Sequence, residues 1–268
     1  VIVESGRTTR GRLWFYTNYH CNLACLYCLT ESRPGAPRRT LDRTLIEAIA
    51  GEAVELGFDS FGVTGGEPFL RTDMPEILGS LGARLPTIVL TNGTLFTPQL
   101  LDRVAPLARL PVAMQISLDS ADPSVNDAVR GASGFAKISA AIPALTARGI
   151  RVRIGTTADE GTVLDALCDL HRSFGISDDD HVVRPIIRRG RANANGLGVE
   201  AAFEDLPAEL TITAEGAFWS PAAPTVENDR LDISYLLSRT IRPLAGPLEA
   251  MARVAGAQPQ REGAFRIT

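Results

Sequence analysis

Six short apolar runs, alternating with stretches of a different period, confine this chain to a small set of folds. The runs occupy residues 13–17, 60–64, 87–91, 112–118, 151–156 and 181–187, and β-branched and aromatic residues recur in them. Between them, residues 41–56, 73–81, 97–108, 135–148 and 162–174 carry apolar side chains at helical spacing. Thr40 or Asp42 marks the start of the first helix and Gly57 its end. Pro98 suits a first helical turn, and Gly149 closes the helix before the fifth run. Strands and helices in this alternation predict a parallel sheet with right-handed crossovers. An open doubly wound sheet and a closed or partial barrel both satisfy the pattern. In either, ligands gather at the carboxyl ends of the strands.

The polar motifs obey that rule. Cys21, Cys25 and Cys28 follow the first run, and Thr64-Gly65-Gly66-Glu67-Pro68 follows the second. Asn92-Gly93-Thr94 follows the third, and Ser117-Leu118-Asp119 ends the fourth. One shared active site is therefore expected. The cysteine spacing, CxxxCxxC, carries the chemistry. A [4Fe–4S] cluster that only carries electrons takes four thiolates. Three leave one iron open for a substrate or a second cofactor, as an open position distinguishes a catalytic metal site from a structural one. Zinc, with His20 as a further ligand, is the other reading of the spacing. A disulfide framework does not suit a chain with four cysteines, three of them within eight residues.

The 268 residues suit one large domain, or one domain with a small appendage. A net charge of −4 gives no basic footprint for a nucleic-acid partner. No apolar run has the length of a membrane span, and residues 1–7 lack the apolar core of a secretory signal. Closely spaced reduced cysteines point to the cytoplasm. After Gly190 the character changes. Residues 188–196 read as a polar, flexible stretch, residues 210–213 and 218–219 as a hairpin, and residues 235–254 as mostly helical with interruptions near Pro243 and Gly246. The expected division is 1–192 and 193–268.

The run CNLACLYC, Gly65-Gly66-Glu67-Pro68, Thr91-Asn92-Gly93-Thr94, Ser117-Leu118-Asp119, Arg130-Gly131, Thr156-Thr157 and Gly190-Arg191-Ala192 occur in the order seen in the radical S-adenosylmethionine (SAM) superfamily. Over residues 13–192 the chain resembles that superfamily, most closely the branch of the molybdenum-cofactor cyclase and the SPASM-type peptide and natural-product maturases. The resemblance implies an oxygen-sensitive biosynthetic enzyme on a partial (β/α)6 TIM-like barrel, with a small α+β extension at the C-terminus. It implies that Cys21, Cys25 and Cys28 ligate three irons and that SAM chelates the fourth. One electron, from a flavodoxin- or ferredoxin-type donor, then releases a 5′-deoxyadenosyl radical that takes a hydrogen atom from the substrate.

The same resemblance assigns cofactor contacts. Gly65 and Gly66 let backbone approach the SAM ammonium closely. Glu67 either accepts a hydrogen bond from it or holds the loop, which Pro68 stiffens. Asn92 follows the next strand. Ser117 faces the SAM carboxylate or ribose. Asp119 supports the site from behind or caps the next helix. Arg130 pairs with the SAM carboxylate or lies in a surface salt bridge. Tyr27 sits near adenine or packs on the cluster. Thr156 and Thr157 face ribose or simply suit a strand. Arg184, Arg188 and Arg189 bind an anionic substrate or stay solvated. Cys168, beside Leu164 and Leu167 in a helix, reads as a small core residue, with a radical-quenching hydrogen donor as the functional alternative. No catalytic residue beyond these is assigned.

The chain departs from the SPASM pattern in one respect. A cysteine is expected near Ser220, and none follows Cys168. A single cluster is therefore expected, which favours epimerisation, rearrangement, elimination or decarboxylation over net oxidation. About a dozen residues precede the first run, too few for a leader-binding module. That favours a small natural-product substrate, with a peptide presented by a separate partner as the alternative. A non-catalytic iron–sulfur or zinc protein is the remaining reading.

Overall fold

The computed structural model describes residues 2–4, 7–9, 11–159 and 161–256. A hairpin of β1 (Ile2–Glu4) and β2 (Arg7–Thr9) comes first. The alternating region follows as β3 (Arg12–Tyr16), α1 (Arg43–Glu55), β4 (Ser60–Thr64), α2 (Met74–Gly82), β5 (Thr87–Thr91) and α3 (Pro98–Val104). It continues as β6 (Val112–Ser117), α4 (Pro123–Arg130), α5 (Gly134–Thr146), β7 (Arg151–Ala158), α6 (Leu164–Ser173) and β8 (His181–Pro185).

Strands β3 to β8 pair in parallel and in chain order. This decides between the two topologies open to the sequence. A doubly wound sheet reverses its strand order partway. Here the order runs without reversal, so right-handed crossovers put every helix on the same face and the sheet curls. The sheet order ends at β8, which leaves the barrel open. Ile46, Ile49, Ile77, Leu78, Ile138 and Ile142 of the helices bury against this sheet. On the opposite face Trp14 lies over Gly62, where a Cβ would stand 2.3 Å from the indole ring.

Local signals account for most of the boundaries. Asp42 caps α1 by accepting from the amides of Thr44 and Leu45, and Gly57 ends it with a φ of +83°. Thr97 caps α3 with Pro98 in its first turn. Helix α4 is the one that follows Asp119, and its extent is not marked in the sequence. It has an Asp122 cap and Pro123 at its start, but only Asn126 and Arg130 are buried, so it has no apolar stripe to read.

The C-terminal segment contains α7 (Arg191–Ala194), β9 (Thr211–Thr213), β10 (Gly216–Phe218), β11 (Val226–Glu227), β12 (Arg230–Leu231), β13 (Leu236–Ser238) and α8 (Ala245–Gly256). Two expectations are corrected. Residues 188–196 are not a loose stretch, since α7 occupies their centre. Residues 235–254 are helical only from Ala245, because β13 pairs with β10 and spends its backbone groups there. The expected hairpin is β9–β10, and β9 adds to β3 in parallel. The segment beyond residue 192 thus extends the barrel sheet to nine strands, in the order β13-β10-β9-β3-β4-β5-β6-β7-β8.

Candidate active site

The loop after β3 brings Cys21, Cys25 and Cys28 to the wall of one cavity of about 270 Å³ at the carboxyl ends of the strands. Gly65, Gly66, Asn92, Ser117, Tyr27, Arg130, Thr157 and Arg184 line it too. The convergence expected from motif positions is present.

The cysteines are held by weak, non-competing contacts. The Cys21 sulfur accepts from the Leu23 amide at 3.3 Å and faces the Asn92 amide nitrogen at 3.6 Å. Cys25 donates to the Arg130 carbonyl at 3.7 Å, and Cys28 lies 3.6 Å from the Thr30 hydroxyl. Burial, and then the nearby Glu67 carboxylate, push the Cys21 thiol up to about 12. Burial also raises Cys25, against the pull of Arg130. Without a metal these two are thiols, and a coordinated cation is what would make them thiolates. Among the described residues, neither His20 nor a fourth cysteine lines the cavity beside the three, so the lining offers three sulfurs and no further zinc-type nitrogen or sulfur ligand. Three cysteines on one wall suit three corners of a cluster.

Three elements position this loop. At the end of α4, where carbonyls lack helical partners, the Leu26 amide donates to Val129 O at 3.0 Å beside the Cys25–Arg130 contact. From β5, Asn92 donates to the Asn22 side chain at 2.9 Å. From α7, Arg191 donates to the carbonyls of Cys25 at 2.7 Å and Ser32 at 3.0 Å, and its amide donates to Cys28 O at 2.9 Å. Gly190 packs so closely that a Cβ would meet Leu29 O at 2.2 Å. The sequence reading noted Gly190-Arg191-Ala192 but gave it no such role.

The Gly65-Gly66-Glu67-Pro68 loop is tight for an internal reason. A Cβ on Gly66 would stand 2.1 Å from His20 O, and one on Gly65 2.5 Å from Asn18 O, with Gly65 at a φ of +153°. Glu67 is fully buried and faces away from the cavity. It accepts from the Phe69 amide at 3.1 Å, the Thr91 hydroxyl at 2.7 Å and the Asn92 amide at 2.7 Å. Of its two expected roles, holding the loop is the one the geometry gives it. Pro68 starts the short turn that follows and does not line the cavity.

Asp119 is not the helix cap, which is Asp122. It accepts from the Thr157 amide at 2.9 Å, the Tyr27 hydroxyl at 2.5 Å and the Arg130 guanidinium at 3.1 Å. Arg130 also donates to the Tyr27 oxygen. The Arg130–Asp119 pair is buried, not a surface salt bridge, and Arg130 Nε is left without a partner. Thr156 does not line the cavity. Its hydroxyl goes to Leu118 O at 2.7 Å, and the neighbouring Thr157 is the residue at the wall. Arg184 lines the cavity without an ion pair or hydrogen bond to any described residue, while burial lowers its affinity for a proton. Arg188 instead donates to Gly198 O and Arg189 pairs with Asp232. Trp219 and Phe218 are core residues, with Trp219 stacked on Phe203 at 4.8 Å.

The residues present fit a cluster and its ligand. Three thiols line one cavity, and the positively charged side chains of Arg130 and Arg184 at the same wall suit an anion. Comparison with known proteins agrees. A family model described as the Radical SAM superfamily matches residues 16–170. The mycofactocin maturase MftC of Mycolicibacterium smegmatis is 28% identical over 232 residues, covering 85% of this chain and 52% of the relative. GTP 3′,8-cyclase 1 of Mycobacterium tuberculosis is 34% identical over 180 residues, covering 63% of this chain and 49% of the relative. The chain therefore spans about half the length of the curated relatives it matches. The solved structure of native anSMEcpe with bound AdoMet superposes with a TM-score of 0.64 at 13% identity, covering 90% of this chain and 80% of that one, a likeness of fold.

Proposed function

The chain belongs to the radical SAM superfamily, and from that premise we propose that it is an enzyme that cleaves SAM reductively at a single [4Fe–4S] cluster and takes a hydrogen atom from a biosynthetic precursor. The observation that carries this reading is the meeting of Cys21, Cys25 and Cys28 with Gly65, Gly66, Ser117 and Arg130 on one cavity wall. When bound, the cluster and SAM supply a 5′-deoxyadenosyl radical. The chain's own residues do the rest. The three cysteines hold three irons. Asn92 and Arg191 keep the cysteine loop in place. Ser117 and Arg130 would hold the SAM carboxylate, with Tyr27 and Asp119 fixing the guanidinium. The apolar wall of Leu23, Leu29, Ile186 and Ala222 keeps water from the reacting atoms.

Similarity to a maturase over 85% of the chain supports a precursor that undergoes maturation, and we take a peptide as the first reading of that precursor. The sequence alone favoured a small natural-product substrate. Similarity to a cyclase whose name makes GTP its substrate keeps a small molecule as the second reading. We place the barrel in residues 1–192 and a SPASM-like extension without auxiliary clusters in 193–268. A flavodoxin- or ferredoxin-type protein would deliver the electron.

Anaerobic reconstitution followed by reduction and addition of SAM tests this. The expected result is about four irons per chain, as one cubane requires, together with 5′-deoxyadenosine. Cys25→Ala should lose both and keep its circular dichroism. SAM cleavage in that variant would overturn the assignment.

A further inference from the structure

A second convergence of ligand-type side chains lies away from the cavity, on the outer layer between α6 and β8. Cys168 and His171 stand one turn apart on α6, and His181 opens β8. The Cys168 sulfur and one nitrogen from each imidazole lie within 4.8 Å of one another, the one such group among the described residues.

Hydrogen bonding fixes which nitrogens those are. His171 is fully buried, and its Nδ1 lies 3.1 Å from Ile176 O. A carbonyl only accepts, so Nδ1 carries the proton and Nε2 keeps its lone pair. That Nε2 is buried and makes no hydrogen bond. His181 Nε2 lies 2.9 Å from the Thr156 hydroxyl, whose own proton goes to Leu118 O at 2.7 Å. The hydroxyl therefore accepts, Nε2 of His181 is protonated, and its Nδ1 lone pair faces the Cys168 sulfur at 3.8 Å. Backbone carbonyls, one directly and one through Thr156, thus hold both rings in tautomers that direct bare lone pairs at one thiol. Outer partners of this kind orient metal-bound histidines. A core histidine with no ligand to bind would have no use for a buried, unpaired acceptor.

We propose that Cys168, His171 and His181 bind one divalent cation of the zinc class. Cysteine sulfur and histidine nitrogen are both zinc ligands, and three protein ligands with a fourth position left over make a recognised zinc arrangement. Asp178 Oδ1, 3.7 Å from His171 Nε2 and oriented by Arg172, or a water takes the fourth position. Binding exchanges the thiol proton of Cys168 for a sulfur–metal bond and releases that proton to solvent. The ion ties α6 to β8 and, through Thr156, to the end of β7. There the Thr157 amide holds Asp119.

The test is metal analysis of the cluster-loaded chain after equilibration with Zn(II) and removal of excess. One zinc per chain is expected beside the iron. Cys168→Ser and His181→Gln should each lose the zinc with iron content unchanged. A Co(II) titration of the full chain carrying Cys21→Ala, Cys25→Ala and Cys28→Ala isolates the site, since Cys168 is then the sole thiol. It should give tetrahedral d–d bands and a sulfur-to-cobalt charge-transfer band, and adding Cys168→Ser should remove the latter. Cys168 is half-buried on a helix, so this variant keeps the fold, checked by circular dichroism. Zinc that survives Cys168→Ser, or a folded chain without stoichiometric zinc and without the charge-transfer band, overturns the proposal.

Discussion

Asp119 shows how a residue can matter without lining the cavity, through its contacts with Tyr27 and Arg130. The Asp119 carboxylate joins the amide of Thr157, the phenol of Tyr27 and the guanidinium of Arg130 beside the cavity, and its pair with Arg130 is buried. Removing one partner of a buried ion pair leaves the other charge uncompensated. Asp119→Ala should therefore cost about 3–5 kcal/mol in denaturant unfolding. Tyr27→Phe removes only a neutral hydroxyl and should cost about 1–3 kcal/mol. If both variants unfold with the wild-type midpoint, the network contributes nothing to stability. From sequence, Tyr27, Asp119 and Arg130 were recognisable as site residues. Their mutual contacts were not, since Tyr27 and Arg130 are 103 positions apart.

At the scale of elements, the cysteine loop is a segment without regular structure of its own, held by the ends of its neighbours. Helix α4 takes part with its terminal carbonyls, β5 with Asn92, and the four-residue α7 with Arg191. Arg191→Ala removes two donors to the loop backbone. Outer supports of metal sites are worth roughly 10–100-fold in affinity. Iron loss to a chelator should therefore speed up by about tenfold, with secondary structure unchanged. Gly190→Ala should act in the same direction more severely, because the new Cβ meets Leu29 O at 2.2 Å and Gly190 holds a φ of +56°. Loss rates equal to wild type in both variants would mean that the loop holds the cluster unaided. Neither the extent of α4 nor α7 itself was legible. One has no apolar stripe, and the other is too short for a period.

Across the whole molecule, the C-terminal segment is part of the barrel sheet. β9 covers the edge of β3, with the Trp14 amide donating to Leu210 O at 2.9 Å, and Leu210, Ile212, Ala217 and Phe218 are fully buried. Phe218→Ala should cost about 3–5 kcal/mol, as large as a deletion in the centre of the barrel. A change under 1 kcal/mol in chemical denaturation would mark the segment as an independent unit. The six parallel strands, their order of motifs and the cysteine set were all readable in advance. Each is written in neighbouring residues, as a period, a turn signal or a spacing of three or four positions.

What required the folded chain was every contact across long separations. Whether Glu67 meets a ligand or a backbone amide depends on β5 lying beside β4. Which of Thr156 and Thr157 faces the cavity depends on the position of β8 and His181. Arg191 reaches Cys25 across 166 positions, and His181 meets Cys168 only because β8 packs under α6. The sequence by itself determined the elements and the chemistry they carry. The order and packing of the sheet decided which side chains share a site, because that order brings together residues whose local sequences carry no trace of one another.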